Sequence, residues 1–538
     1  MGNEFELEVS HLNFTVNFLK AYNASLNQQQ NKTSTDILDT RKMLNEDVSN
    51  TFDFEDGNVM DFIAMLPEMR LTESTYNYIE KMRDVTARMI NKPYFGRLTA
   101  DGEPIYIGNA TIQDNNQDIL IYDWRSPVAS LFYENRVGEL SYTIPDGSKI
   151  KTDVSLRRQF QIENSELLNM FDSDLYIGDE MLQQLITDSS RAKLKNIVAT
   201  IQSEQNIIIR QPLNQNTLVY GPPGSGKTSL AMQRIAYLMF TYRNQLKADN
   251  ILLMSPNEVF NDYVSDVLPE LGEDNVKNMT FYRMLKEVPY FNGRQFESLA
   301  VNIQRLNGED GSAYRYKTSK AYFDHLKQYM ETFGEGGMYF RDLKYGTKTF
   351  IAKEMIDKVF YNDLSQHPVS RRLHKIYEYL LDMYQRELKW LTNQKFKELD
   401  ETREYIGEKE ELQKRANDHA TKELARIHQQ IKRFRFVQLE KLYVRSITDK
   451  AVRSETIENV KSNNFMYEDI APMMYLYIHI LDASDKKMRH VIIDEVQDYS
   501  NIQYAVMTDY YSKATFTSLG DKNQQIHPVG SEDLDVHD

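Results

Sequence analysis

The sequence contains no cysteine. Disulfides and thiolate zinc sites are therefore excluded, and the composition fits a reducing cytosol. Glycine and proline are scarce, at 22 and 14 of 538 residues, so a globular, helix-rich chain is expected. The amino terminus, MGNEFELEVSHLNF, has no basic segment ahead of an apolar run and does not read as a signal peptide. No apolar run reaches the ~20 residues that a membrane helix needs, so no membrane partner is expected. Basic charge is also short: 64 Lys and Arg stand against 79 Asp and Glu, a formal net charge of −15. A protein that lives on duplex phosphates usually shows a basic surface. The acidic balance points instead to a partner with basic surfaces.

What is present centres on Thr217 to Leu230, TLVYGPPGSGKTSL. An apolar strand runs into Gly221-Pro222-Pro223-Gly224-Ser225-Gly226-Lys227-Thr228, and an amphipathic helix follows. This strand, loop and helix with G-x-x-x-x-G-K-T is a phosphate-binding loop. Gly224 and Gly226 let the backbone curl so that N–H groups point at phosphate oxygens. The helix N-terminus adds its free N–H groups and partial positive charge. Lys227 reaches the β- and γ-phosphates of ATP or GTP as a point charge. The Thr228 hydroxyl is a Mg²⁺ ligand.

The second half of such a site lies at His490-Val491-Ile492-Ile493-Asp494-Glu495-Val496-Gln497-Asp498. An apolar strand ends there in Asp-Glu. Asp494 is expected to hold Mg²⁺, and Glu495 to orient or deprotonate the attacking water. A last strand, Thr515 to Leu519, runs into Gly520-Asp521-Lys522-Asn523-Gln524. A Gln at a strand end, here Gln524, can sense the γ-phosphate. Gln205, just upstream of the loop strand, can read the adenine edge with its amide.

The rest of the chain arranges itself around these segments. Residues 1–93 read as an antiparallel coiled-coil arm. Its first helix carries Val9, Leu12, Val16, Leu19, Leu26, Ile37 and Leu44, with polar Asn23, Gln30, Thr33 and Thr40 in the seam. Its second carries Leu71, Thr75, Tyr78, Met82, Val85 and Met89, interrupted by Pro67. About 45 helical residues make an arm roughly 65 Å long. The intervening turn holds Asp53, Glu55 and Asp56. A small β-rich unit is placed at 94–175, its strand runs lying between Tyr94 and about 150, with helix resuming over 155–210. Within it, Asp123-Trp124-Arg125 reads as a buried anchor with an Arg–Asp pair. The RecA-like NTPase domain takes 176–285 and 471–538. Between them, 286–470 reads as a mainly helical insertion. It has an apolar face from Leu373 to Leu391 and a charge-dense stretch from Lys395 to Arg435, read as a long solvated helix or a helix pair. The fold class is thus α/β: a P-loop parallel-sheet domain with a helical arm, a β-unit and an insertion.

Asp494-Glu495-Val496-Gln497-Asp498 resembles the DExQD box of superfamily 1 helicases of the UvrD/Rep type, and Gly520-Asp521-Lys522-Asn523-Gln524 resembles their GDxxQ motif. Gln205 matches their Q-motif glutamine, and Gln233-Arg234-Ile235-Ala236-Tyr237 their P-loop helix. Ser229 stands where many of them carry an Arg near the base. Outside these motifs, segments such as IYDWRSPVASLFYE (121–134) and SPNEVFNDYVSDVLPELGE (255–273) resemble the HelD family of helicase-like factors that bind bacterial RNA polymerase. The resemblance implies catalytic roles for Glu495, Gln497 and Gln524. It implies nucleotide contacts for Gln205, Gly221, Pro222, Gly224, Ser225, Gly226, Lys227, Thr228 and Arg234. It implies ATP with Mg²⁺, a core RNA polymerase partner, DNA or RNA met through that partner, and a cytoplasmic setting. An arm in the secondary channel would bring Asp53, Glu55 and Asp56 toward the polymerase metal.

The resemblance further implies a second RecA-like domain bearing transition-state arginines, which nothing after Gln524 supplies. The 538 residues are therefore expected to turn over ATP weakly or not at all. Two other functions fit the same motifs: a superfamily 1 DNA translocase, and a polymerase-binding module that no longer cycles ATP.

Overall fold

The computed structural model describes residues 2–50, 58–134, 136–172, 201–256, 260–291, 293–308, 311–401 and 409–521. The chain divides into two compact units. The first takes Met1–Gln211, Met232–Gln245 and Tyr263–Asn275; the second takes Pro212–Ala231, Leu246–Asp262 and Val276–Asp538.

The first unit begins with two long helices, α1 (Gly2–Asn50) and α2 (Asn58–Asn91), which run antiparallel. Helix α2 continues through Pro67. Two of the polar seam positions, Asn23 and Gln30, are matched across the pair, while Thr33 and Thr40 bond to carbonyls of their own helix. Asn23 donates to the Arg83 carbonyl at 2.8 Å, and Arg83 donates to the Gln30 amide oxygen at 2.6 Å. A buried amide with a partner costs little, whereas an unpaired one is expensive. The seam of α2 differs from the expected one. Leu71 and Tyr78 are 69% and 63% exposed, while Ile79 is 6% exposed and Thr86 is buried. Two three-four ladders lie side by side on this helix, and apolar content alone favoured the outer one. The difference is confined to the part of α2 ahead of Met82, because Val85 and Met89 of the expected seam are buried in the core. Leu44, also expected in the seam, lies outside the described side chains.

The base of the helix pair packs on a β-sheet. Leu12, Val16, Leu19, Val85 and Met89 share a core with Tyr94, Tyr106, Ile121 and Phe160. Glu8, buried beside this core, takes Arg97 at 2.6 Å, Arg158 at 3.0 Å and the Tyr106 hydroxyl at 3.0 Å. Seven strands form the sheet: β1 (Gly96–Ala100), β2 (Glu103–Gly108), β3 (Ile112–Gln113), β4 (Ile119–Asp123), β5 (Gly138–Thr143), β6 (Lys149–Glu163) and β7 (Glu166–Asp172). Their order is β3-β4-β2-β1-β6-β5, with β7 also on β6. Asp101 and Gly102 turn the β1–β2 hairpin with φ of 52° and 87°, as a tight hairpin with two left-handed residues requires.

Strands β6 and β7 correct the expectation of helix from 155 onward. Thr152, Val154, Arg158, Phe160 and Ile162 are all buried, a period of two. Arg157 and Arg158 disguised that alternation. Arg158 is a core residue here because Glu8, Glu4 and Asp172 surround it. Trp124 is fully buried, and Arg125 forms a bidentate pair with Asp123 at 2.8 and 2.6 Å. Its third nitrogen reaches Glu273 at 2.5 Å. The anchor reading of this segment therefore holds.

The second unit is built on a five-stranded sheet: β8 (Thr217–Tyr220), β9 (Ile251–Met254), β10 (Lys277–Met279), β15 (His490–Ile493) and β16 (Thr515–Gly520). The order is β10-β9-β15-β16-β8 and every pair is parallel. Strands buried on both faces read as unbroken apolar runs, as ILLM and HVII do here. The stretch between β10 and β15 is mainly helical. It carries short strand pairs, β11 (Gln295–Phe296) with β14 (Asn464–Phe465) and β12 (Leu343–Tyr345) with β13 (Lys348–Ile351). The charge-dense stretch is a helix pair, Val369–Glu401 and Lys409–Lys432. Small Ala416 and Ala420 with Leu424, Ile427 and Ile431 make its buried stripe.

Candidate nucleotide site

Strand β8 delivers the chain to the loop 221–226 at the C-terminal edge of the parallel sheet, where ligands of such sheets bind. Gly224 and Gly226 take φ of 74° and 77°, a region that side chains with a Cβ rarely adopt. Gly221 is required for another reason: a Cβ there would sit 2.7 Å from the Ser225 hydroxyl. The Gly221 N–H donates to the Gly520 carbonyl at 3.1 Å, and the Ser225 N–H to Pro222 at 3.2 Å. The loop is thus held by its own turn and by the end of β16. Helix Lys227–Thr241 starts directly after it. Lys227 is buried, and its ammonium donates to the carbonyls of Gly221 at 3.0 Å and Pro222 at 3.2 Å. The charge therefore rests at the centre of the loop.

The two motifs meet through Thr228 and Asp494. The Thr228 hydroxyl donates to the Asp494 carboxylate at 3.1 Å, across 266 positions of sequence. Asp494 lies just past β15, with its N–H on the Met254 carbonyl at 2.9 Å. Burial, and then the adjacent Glu495 charge, push its carboxyl up to about 6. Glu495 sits at φ 50°, a left-handed conformation for a residue with a side chain. Gln497 donates to the Glu495 carboxylate at 2.7 Å and accepts the Asp521 N–H at 2.9 Å. It is a strut between the general-base candidate and the start of the GDKNQ segment. A Cβ on Gly520 would lie 2.6 Å from the Gln497 amide oxygen and 2.8 Å from Val496. Gly520 and Asp521 were missed as site residues. The available signal was a glycine ending a β-strand, which marks a close approach of another chain segment.

One hydroxyl and one carboxylate are hard oxygen ligands, and Mg²⁺ is held by one or two such groups together with substrate phosphates. The pair Thr228 and Asp494 fits that ion, and a cation beside Asp494 would favour its charged form. No group of three or more His, Cys, Asp or Glu side chains among the described residues offers a different metal site.

The other expected residues divide. The Gln205 amide oxygen accepts the Gln202 N–H at 3.1 Å, closing a capping box on helix Ser203–Ile209. The Arg234 guanidinium is fully buried and donates to the carbonyls of Ile208, Ile209 and Gln211 at 2.9, 3.2 and 3.0 Å. It clamps the C-terminal end of the helix that carries Gln205, where orphan carbonyls and the helix dipole favour a cation. Gln524, Asp53, Glu55 and Asp56 lie outside the described residues.

The loop, the Thr228–Asp494 contact and the Gln497 strut lie together at the edge of a parallel sheet as a candidate nucleotide half-site. Residues 201–528 match the model of the UvrD/REP helicase N-terminal domain.

The chain belongs to the UvrD/REP helicase family.

Within that family it is a HelD-like relative: residues 8–189 match the N-terminal domain described as that of DNA helicase IV HelD. No curated protein matches the chain. Among the described residues no helix is long and apolar enough to cross a membrane.

Proposed function

We propose that this chain is an ATP-binding, HelD-like factor that binds bacterial RNA polymerase, releases its nucleic acid and recycles stalled enzyme. The nucleotide half of this reading is carried by the Thr228–Asp494 contact, which sets the P-loop against the DEVQD segment. Lys227 exchanges the loop carbonyls for β- and γ-phosphate oxygens. Thr228 and Asp494 hold Mg²⁺. Glu495, steadied by Gln497, orients the attacking water, and Gln205 reads the base. The polymerase half is supported by the HelD match over 8–189 and by a helix pair in which seam residues Asn23 and Gln30 both meet Arg83 of the facing helix. The acidic segment between α1 and α2 is the candidate polymerase contact.

The test is co-elution of the purified chain with core RNA polymerase. Deleting residues 50–60 is expected to weaken that association while ATP affinity stays at the parent value. Failure of the parent chain to co-elute, with tight binding to single-stranded DNA in the same buffer, would replace this reading with that of a DNA translocase. The match to the N-terminal domain of DNA helicase IV HelD favours that second reading.

A further inference from the structure

Arg294, Arg341 and Arg435 come from separate parts of the helical region and converge on one carboxylate, Glu440. Arg294 pairs with one oxygen of Glu440, and Arg435 lies 3.5 Å from the same oxygen. Arg341 lies 3.5 Å from the other. Arg294 and Arg435 also donate to the Tyr290 carbonyl, each at 2.7 Å, and stack over the Tyr290 ring at 4.7 and 4.6 Å. These contacts fix the guanidiniums in place without adding negative charge. Three positive charges therefore face one negative charge. Burial, with Arg435 and Arg341 adding to it, lowers Arg294 to about 10. The Arg341 Nε is buried and makes no hydrogen bond.

The cluster lines a cleft of about 650 Å³ that also carries Lys441 and Lys461. A second cavity of about 280 Å³ shares Arg341 and Arg435 and adds Arg426 and Arg433. The positive strip is thus longer than a single anion. Val444, Ile457 and Val460 give the larger cleft an apolar wall. Among the described residues Glu440 is the only carboxylate paired with Arg294, Arg341 or Arg435, whereas Lys461 is balanced by Glu458 at 2.9 Å.

We propose that this cleft binds phosphate groups, with the apolar part of the same ligand lying on Val444, Ile457 and Val460. Guanidinium forks match phosphate oxygens with paired N–H donors, and several forks converging on one point suit a tetrahedral anion better than a planar carboxylate. Glu440 gathers the three arginines and offsets one charge. The phosphate can come from a free nucleotide or pyrophosphate, or from a nucleic-acid backbone. The site is separate from the P-loop, so its fate does not depend on the nucleotide reading.

The experiment uses the full chain carrying Lys227→Ala, so that the P-loop contributes no phosphate contact. Sodium pyrophosphate is titrated by calorimetry, and a short fluorescein-labelled oligothymidylate by anisotropy. At least one probe is expected to bind, and Arg341→Gln with Arg435→Gln to weaken it about tenfold or more. Arg341→Glu is the second variant. Its side chain is 42% exposed, so charge reversal there leaves the packing intact and should weaken binding as well. Pyrophosphate binding as tight as oligonucleotide binding assigns a free phosphate ligand. Tighter oligonucleotide binding, with the log–log salt slope reduced by about 1.4 in the double variant, assigns a single-stranded backbone. The proposal is overturned if neither probe binds, if both variants bind like the parent, or if oligoglutamate binds where the phosphate probes do not.

Discussion

Asp123 and Asp494 are both buried aspartates, each just inside or just past the end of a strand, and their surroundings are opposite. Asp123 accepts two bonds from the Arg125 guanidinium and one from the Arg125 N–H at 2.8 Å. The remaining guanidinium nitrogen goes to Glu273. Asp494 receives a hydroxyl hydrogen and its neighbour's N–H, and the like charge of Glu495 acts on it more strongly than the Lys227 cation that opposes it. A buried charge completed by its own chain is an anchor. One left beside a like charge raises the energy of the fold unless a cation binds there. The contrast separates a structural pair from a functional site without reference to any motif. It also sorts the arginines: Arg125 faces two carboxylates, while Arg294, Arg341 and Arg435 share one.

The contrast breaks most visibly at Arg125. Arg125→Met should destabilise the chain by about 3–5 kcal/mol, because Asp123 and Glu273 are left buried without their cation. Urea unfolding measures this, and a loss below about 1 kcal/mol would mean that the pair is not an anchor.

Asp494→Asn should act in the other direction. The folded pKa of about 6 stands above the unfolded value near 3.8, so the native state binds the proton more tightly. Ionised Asp494 therefore lowers stability above pH 6, and the penalty fades as pH falls from 6 toward 4. The variant should gain on the order of 2–3 kcal/mol at pH 8 and nothing near pH 4, while losing Mg²⁺-dependent ATP affinity. Equal stability of parent and variant across this range would show that Asp494 is compensated like Asp123.

The smallest expected effect sharpens the site itself. Gly520→Ala forces a methyl against the Gln497 amide and Val496, at a cost of about 1–3 kcal/mol. It should also loosen the Gln497–Glu495 contact, so the weak ATP turnover of the chain, where measurable, should fall more than ATP affinity. A variant with parent stability and turnover would remove Gln497 from its place as the strut.

Much of the candidate nucleotide site was legible as a pattern because the motif is local. Gly224 and Gly226 sit in one loop, and the left-handed backbone they adopt is a property of glycine. The apolar run HVII marked a strand in the sequence because a strand covered on both faces needs no polar alternation. The places of Arg158 and Arg234 were not legible for one reason: a charged residue in sequence looks like surface or ligand until its partners are known. Arg158 proved to be core because Glu8, Glu4 and Asp172 converge on it. Arg234 proved to be a helix clamp because three carbonyls do.

The sequence by itself determined the P-loop, the strand that ends in Asp494-Glu495, and the α/β class, since each depends on neighbours within a few residues. Only the tertiary structure decided which face of α2 is buried, that 155–172 pairs as strands, and that Gln497 reaches Gly520 and Asp521. Those outcomes depend on groups brought together from distant positions. So does the meeting of Arg294, Arg341, Arg435 and Glu440, because the local pattern is silent about charge balance until the chain is packed.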